Sequence, residues 1–201
     1  MVALVIGILA TTAFVALRLV VALGGHEPLA VDVWWNDLML TTLSDAGVLV
    51  AWVPAVVGGT IGMIVVGLLI IVALLWRRRR WDAATLAVAM VVVVAIGAPM
   101  AAIIARARPE DSLAESVATS FPSGHTAVAT TVAVTLGLLL RRWYVWVVGG
   151  AWVVLMMWSR TYLHAHWLSD VAAGLLEGIA VACLVWCIVE KVRDRRALRR
   201  T

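Results

Sequence analysis

The sequence predicts an all-α integral membrane protein: a bundle of six transmembrane helices with a short interfacial helix in the first outer loop. Three observations predict it. Hydrophobic residues make up 64% of the 201, and the mean hydropathy is +1.02, whereas soluble domains are about 45–50% apolar. Apolar runs on the scale of the about 20 residues that a crossing needs occur at six places in the chain. Twelve of the 16 Lys and Arg fall in three groups, at 77–80, at 141–142 and at 191–200, that alternate with those runs.

The six runs are 2–23, 48–76, 82–105, 123–140, 143–158 and 168–189. The first has no small-residue cleavage site behind a short apolar core, so it reads as a retained helix and not as a signal peptide. In the loop at 24–47, Val31, Trp34, Trp35 and Leu38 share one helical face. Tryptophan favours the membrane interface, so either a short amphipathic helix lying flat and shaping a lateral entrance or a merely anchored loop is expected there. The fourth and fifth runs are separated only by Arg141 and Arg142 and must form a tight hairpin. The fifth is short and borrows residues 159–163 to complete its crossing. Cys183 and Cys187 lie four apart in the sixth, where helical geometry directs their Cβ atoms poorly for a disulfide; they read as small core residues. With no repeat, linker or composition break, residues 1–201 read as a single integral membrane domain.

Orientation follows from the basic groups. All three fall on one side of a six-helix arrangement, together with both termini, and that side is the cytoplasm. The net charge of +4 is then a topology signal with a secondary attraction to anionic lipid, and a nucleic-acid partner is not expected. The outer side carries most of the acids and only three clear arginines, Arg106, Arg108 and Arg160, with Arg18 snorkelling toward it.

Outward arginines run against the insertion bias and therefore call for a reason. Three connections reach the outer face, at 24–47, 106–122 and 159–167. In the stretch from Phe121 to Thr131, Pro122 and Ser123 stand where a helix begins, with Ser123 suited to cap it. Gly124 leaves room for a ligand against the backbone, free N–H groups make the helix start an anion site, and His125 falls in its first turn. In the stretch SRTYLHAHWLSD, residues 159–170, His166 and Asp170 are four apart and share a helical face. An aspartate there can hold one imidazole nitrogen and leave the other as a nucleophile. His164 has no such partner and reads as an interfacial bystander. A metal site from His125, His164, His166 and Asp170 is disfavoured, because the arginines nearby repel a cation and suit an anion. Arginines, a helix N-terminus, two histidines and an aspartate together describe phosphoryl-transfer chemistry.

These residues resemble the type 2 phosphatidic acid phosphatase superfamily, in its membrane branch. Its central motif, Pro-Ser-Gly-His, stands complete at Pro122, Ser123, Gly124 and His125. Its third motif matches at Ser159, Arg160, His166 and Asp170. The first matches in part: Arg108 and Pro109 are present, but Ala101 stands at the position of the motif lysine, and the sole lysine, Lys191, is on the other side. The resemblance implies that His166 attacks phosphorus, that Asp170 orients it, and that His125 protonates the leaving oxygen. It further implies that Arg108, Arg160, Ser123 and the Gly124 amide hold the phosphoryl oxygens, without metal or organic cofactor. Arg106, the one unassigned cation nearby, is expected to contact phosphate in place of the lysine if helical geometry ends near Ala105.

A site at the outer membrane surface makes a lipid phosphate or polyprenyl (di)phosphate the expected substrate, as in bacterial relatives that recycle polyprenyl carriers. Two other readings differ in class. A catalytically silent lipid-binding scaffold is supported by the absent lysine and opposed by both histidines and Asp170. A small transporter is opposed by polar groups that gather at one face and not at the midplane. Glu177, seven residues beyond Asp170 and so about two turns away, either extends the site's hydrogen-bond chain or is a protonated structural group.

Overall fold

A computed structural model describes residues 1–114 and 119–199, with the side chain of Thr60 excluded. Arg200 of the basic tail and residues 115–118 of the second outer connection lie outside the described residues. The described residues form eight helices: α1 (Val2–Leu23), α2 (Ala30–Thr41), α3 (Asp45–Val57), α4 (Thr60–Trp76), α5 (Arg80–Ile104), α6 (Gly124–Leu140), α7 (Trp143–Tyr162) and α8 (Leu168–Leu198). Among the described residues there is no strand, only an isolated bridge between Ala107 and Thr119.

The all-helical fold is as expected, and the crossings are met in part. Helices α1, α5 and α8 are each long and apolar enough to span a bilayer, and α3 with α4 forms a fourth such unit bent by 51°. The run at 48–76 is therefore not one straight helix. Pro54 removes a backbone donor inside α3, and the pair Gly58–Gly59 follows, a combination that breaks helices. Gly58 is needed where it stands, since a side chain there would run into Met156 of α7. Helix α6 has 17 residues, about 25 Å of rise, short of the about 30 Å of a hydrocarbon core. Helix α7 ends in the polar residues Ser159, Arg160 and Thr161, all buried, and is less apolar for it.

Helix α8 is the centre of the bundle, flanked by α1, α5 and α6. Small residues set these approaches, as is usual where lipid removes the hydrophobic drive between helices. A Cβ at Gly174 would lie 3.1 Å from the Ala127 nitrogen, and one at Gly178 would lie 2.6 Å from the Ala127 carbonyl oxygen. The α6 and α8 backbones therefore touch. Gly7 of α1 admits Leu184, and Gly137 of α6 admits Trp146 of α7. The α6–α7 hairpin turns in two residues, with Arg141 in the left-handed region at φ 52°. Cys183 and Cys187 are free.

At the end of the bundle where α8 begins, α2 lies against α7 and α8. Val31, Trp34 and Leu38 are exposed and Trp35 packs toward Met39, Tyr162 and Leu163, as suits an interfacial helix with one face to lipid. Its other face carries Asp32, which is fully buried. Tyr162 Oη donates to the Thr42 carbonyl at 2.8 Å and accepts from the Ser44 N–H at 3.1 Å, holding the α2–α3 turn on α7.

The fastening is ionic. Arg106 is fully buried and uses all five guanidinium donors. Nη1 binds Asp170 Oδ1 at 2.6 Å and Ser169 Oγ at 2.7 Å. Nη2 binds Asp32 Oδ2 at 2.7 Å and the Glu27 carbonyl at 3.1 Å, and Nε binds the His26 carbonyl at 3.3 Å. Each aspartate also caps its own helix: Asp32 accepts from Leu29 N–H and Asp170 from Trp167 N–H, both at 2.9 Å. Asp32 additionally takes the Ser169 N–H and hydroxyl, each at 2.7 Å. One arginine thus ties the N-termini of α2 and α8 to the end of α5. Removing one partner of such a buried pair costs about 3–5 kcal/mol. Arg106→Ala and Asp32→Ala are each expected to lower the thermal midpoint of the detergent-purified protein sharply. An unchanged midpoint in both variants would mean that the cluster contributes nothing.

Candidate active site

His166 is placed by the turn that ends α7. The Arg160 carbonyl accepts from the N–H groups of both Ala165 and His166, at 3.1 and 3.2 Å, and His164 enters the left-handed region at φ 50°. The chain then re-enters a helix at Leu168. His166 therefore precedes α8 and does not stack on it. Its Nδ1 lies 2.7 Å from the Ser120 carbonyl, which can only accept, so Nδ1 carries the proton and Nε2 presents a lone pair. Asp170 Oδ2 stands 3.8 Å from Nδ1. The spacing argument expected this aspartate to hold the ring directly; the structure gives that hydrogen bond to Ser120, and Asp170 supplies negative charge behind it.

Ser120 is held in turn. Its N–H donates to the Arg106 carbonyl at 2.9 Å and its hydroxyl to the Ala107 carbonyl at 3.2 Å. Arg108, two residues past the clamp, donates from Nη1 to the Ala165 carbonyl, and the same nitrogen lies 3.3 Å from His166 Nε2. Burial holds the His166 imidazole below its ordinary pKa, the Arg108 and Arg160 charges act the same way, and Asp170 opposes them. The ring is thus kept neutral.

His125 approaches from the first turn of α6, where Ser123 is the N-cap residue. The hydroxyl of Ser123 does not cap the helix, contrary to expectation. It is buried and accepts from Thr126 Oγ1 at 3.2 Å, while its N–H donates to the Asp170 carbonyl at 3.1 Å. Ser123 thus locks α6 to α8 from behind. Gly124 is exposed, and a Cβ there would meet nothing within 4 Å, so the backbone at the helix start is open to a ligand. His125 hydrogen-bonds the Ala55 carbonyl at the end of α3, and a Cβ at Gly59 would come within 3.6 Å of its Nε2. The break between α3 and α4 therefore abuts this histidine.

A cavity of about 400 Å³ brings these groups together, lined by Arg108, Gly124, His125 and His166. Apart from Thr119 its other walls are apolar, with Met63, Ile64, Met90, Val93 and Val94 from α4 and α5. Arg160 is buried beside it, and its charge acts on both His125 and His166. Ala101 lines the same cavity, so the position of the motif lysine faces the site.

Arg106 is the correction. Helix α5 does end where it had to, with Ala105 in the left-handed region at φ 48°. The chain turns Arg106 not into the cavity but toward Asp32 and Asp170, where every donor is taken. The lysine's charge is not replaced from there. Sequence reasoning missed Asp32 and Ser169, and missed the Ser120 carbonyl altogether. Asp32 had a signal, an acid at the third position of a helix after Pro28; a carbonyl has none. His164 is no part of the site. It is buried, with Nδ1 2.8 Å from Asn36 Oδ1 of α2, and holds the interfacial helix.

The model of the PAP2 superfamily matches residues 82–194. An undecaprenyl-diphosphatase of Sulfolobus acidocaldarius is 35% identical over 118 residues, 55% of this chain and 57% of that protein; the chain matches little more than half of that relative's length. Two crystal structures share the fold. A transmembrane PAP2-type phosphatidylglycerolphosphate phosphatase from Bacillus subtilis has a TM-score of 0.80 at 21% identity, covering 92% of this chain and 96% of that one. LpxE of Aquifex aeolicus has a TM-score of 0.69 at 21% identity, covering 79% and 96%. The matched segment runs from the third residue of α5 to Asp194 in the last turns of α8, includes His125, Arg160, His166 and Asp170, and shows that this multi-pass membrane chain belongs to the PAP2 superfamily.

Proposed function

We propose that the protein is a lipid phosphatase that hydrolyses a phosphomonoester or diphosphate of a membrane lipid through a phosphohistidine on His166 Nε2. The observation that carries this reading is the state of His166. Its Nδ1–H is committed to the Ser120 carbonyl, and its free Nε2 meets the Arg108 guanidinium at 3.3 Å in a cavity that also holds His125. The lone pair on Nε2 attacks phosphorus while the bond from phosphorus to the leaving oxygen breaks, and His125 delivers a proton to that oxygen. Water, losing a proton to His125, then attacks the phosphohistidine and releases inorganic phosphate. Arg108, Arg160 and the amides at the start of α6 offset the charge on the phosphoryl oxygens. Asp170, close behind Nδ1, favours the positive charge that the ring acquires on phosphorylation. With two arginines at the site, the charge that a divalent metal would supply is already present, and none is invoked.

The substrate follows from the walls. Apolar side chains of α4 and α5 continue directly from the polar end of the cavity, which suits a phosphate carried on a hydrocarbon chain, such as a polyprenyl (di)phosphate or a phospholipid phosphate. Six crossings, with α6 and α7 as the two shorter ones, put this end at the outer face and both termini in the cytoplasm, in agreement with the basic groups. Residues 1–201 then form one domain.

Three outcomes are expected. Purified protein releases phosphate from at least one of polyprenyl diphosphate, phosphatidic acid and phosphatidylglycerol phosphate. His166→Ala abolishes that release, His164→Asn retains most of it, and chelators have no effect; a chelator-sensitive activity restored by a divalent ion would sink the metal-free mechanism. Second, because His166 is held below its ordinary value of about 6.5, its ring stays nucleophilic to lower pH. The acid limb of kcat/KM is therefore expected below that value, and it should move upward in Arg108→Gln, where one opposing cation is gone. A wild-type limb at pH 7 or above would count against His166. Third, in a cysteine-free background, Leu113→Cys is expected to react with an impermeant thiol reagent on intact cells, while Arg77→Cys and Arg195→Cys stay shielded. The reverse pattern would turn the topology over.

A further inference from the structure

Glu177 is the one acid deep in α8 that the reaction does not use. It is 2% exposed, and neither carboxyl oxygen has a hydrogen-bond partner among the described residues. Such a group in hydrocarbon is costly unless a donor reaches it. Two features surround it. Toward α5 it faces Gly97, where a Cβ would lie 3.3 Å from Oε1, and Gly97 lines the catalytic cavity on its other side. Along α8 it stands at one end of a second cavity, of about 420 Å³, between α1, α5 and α8. Thr11, Phe14, Ile96, Val181 and Leu184 are among its walls, and Thr11 spends its hydroxyl on the Gly7 carbonyl at 2.8 Å. Val88 and Ile188 at its rim are exposed, so the groove opens sideways to the bilayer. From Glu177 to Val189 it follows α8 for about 18 Å.

We propose that this groove is a binding site for a long-chain lipid alcohol, its hydroxyl donating to the Glu177 carboxyl and its chain lying along α8. A single buried acceptor group at the end of an apolar slot asks for a single donor at the end of an apolar chain. An ammonium headgroup fits less well, because burying an ion pair there costs more than it returns. The choice of an alcohol rests on the lipid phosphatase reading with a phosphomonoester as substrate, whose hydrolysis leaves one; a diphosphate would leave a monophosphate. Dephosphorylation removes the charge that holds a head at the interface, so the product settles about two turns deeper than the phosphate did, at the depth of Glu177 relative to Asp170. Only the α5 backbone at Gly97 separates that position from the catalytic cavity.

The test is photolabelling of the purified protein in nanodiscs with a diazirine analogue of the 20-carbon alcohol geranylgeraniol, and with its methyl ether. The alcohol is expected to label α1 and α8 along the groove, and the ether at least tenfold less. Glu177→Leu should lose that labelling tenfold or more and Glu177→Gln should keep it within twofold. Val92→Trp fills the groove with the carboxyl in place; it should lose labelling too, which keeps the test decisive if Glu177→Leu does not fold. Equal labelling by alcohol and ether, undiminished labelling of Glu177→Leu, or label confined to α4 and α6 would overturn the proposal. Binding needs no turnover. Groove labelling in a protein that releases no phosphate would retain the site and remove only the enzymatic reading, whereas an active protein whose groove stays unlabelled would do the opposite.

Discussion

A single buried guanidinium organises the polar end of this helix bundle. Arg106 reaches Asp170 at 2.6 Å and Asp32 at 2.7 Å with no exposure to solvent, in surroundings where a half-satisfied charge is expensive. Every neighbouring element answers to it. The N-terminus of α8 is set by Asp170 and by the Ser169 bonds to Asp32, and α2 is held down by the same carboxylate. The residues on either side of Ser120 are carried with it, because Ser120 pairs with the Arg106 backbone and offers its own carbonyl to His166. The arginine lines no part of the cavity, yet the orientation of the His166 ring passes through it.

The second constraint is the contact of α6 with α8. Gly174 and Gly178 bring the two backbones together, and the Ser123 N–H to Asp170 carbonyl bond pins their outer ends at 3.1 Å. His125 begins one of these helices and His166 precedes the other, so a rigid joint fixes the two histidines relative to each other. That is the kind of preorganisation phosphoryl transfer depends on, since the protein contributes positioning and charge more than covalent chemistry. Burial of His166 serves the same end by keeping its ring neutral.

Lipid-facing features extend from this polar end. The catalytic cavity has walls of methionine and valine below its arginine and histidines, and the groove along α8 carries one carboxyl at its outer end. Both use α5, with Gly97 between them. A backbone that lacks a side chain there brings the two spaces to opposite sides of one helix. Ala101, one turn farther out, leaves the catalytic side short of the cation that the family motif carries there.

Much of this was legible without coordinates, because composition and local spacing act on residues close in the chain. The helical class, the interfacial helix, the hairpin at Arg141 and Arg142, and the grouping of Arg108, Gly124, His125 and His166 all follow from hydropathy, punctuation and motif. Four things did not. The bend between α3 and α4 lies inside one unbroken apolar run, and the contact of Gly58 with Met156 of α7 joins residues far apart in the chain. The partner of His166 is a carbonyl, and no residue type announces one. Ser123 looks like a cap and serves as a strut. Arg106 had two possible environments, an anion in the cavity or two aspartates 74 and 64 residues away in sequence. The sequence by itself determined which charged groups gather at one end of the bundle, since a bilayer core keeps most of them at helix ends; only the tertiary structure decided which of them meet one another, since Asp32, Arg106 and Asp170 come from three segments far apart in the chain.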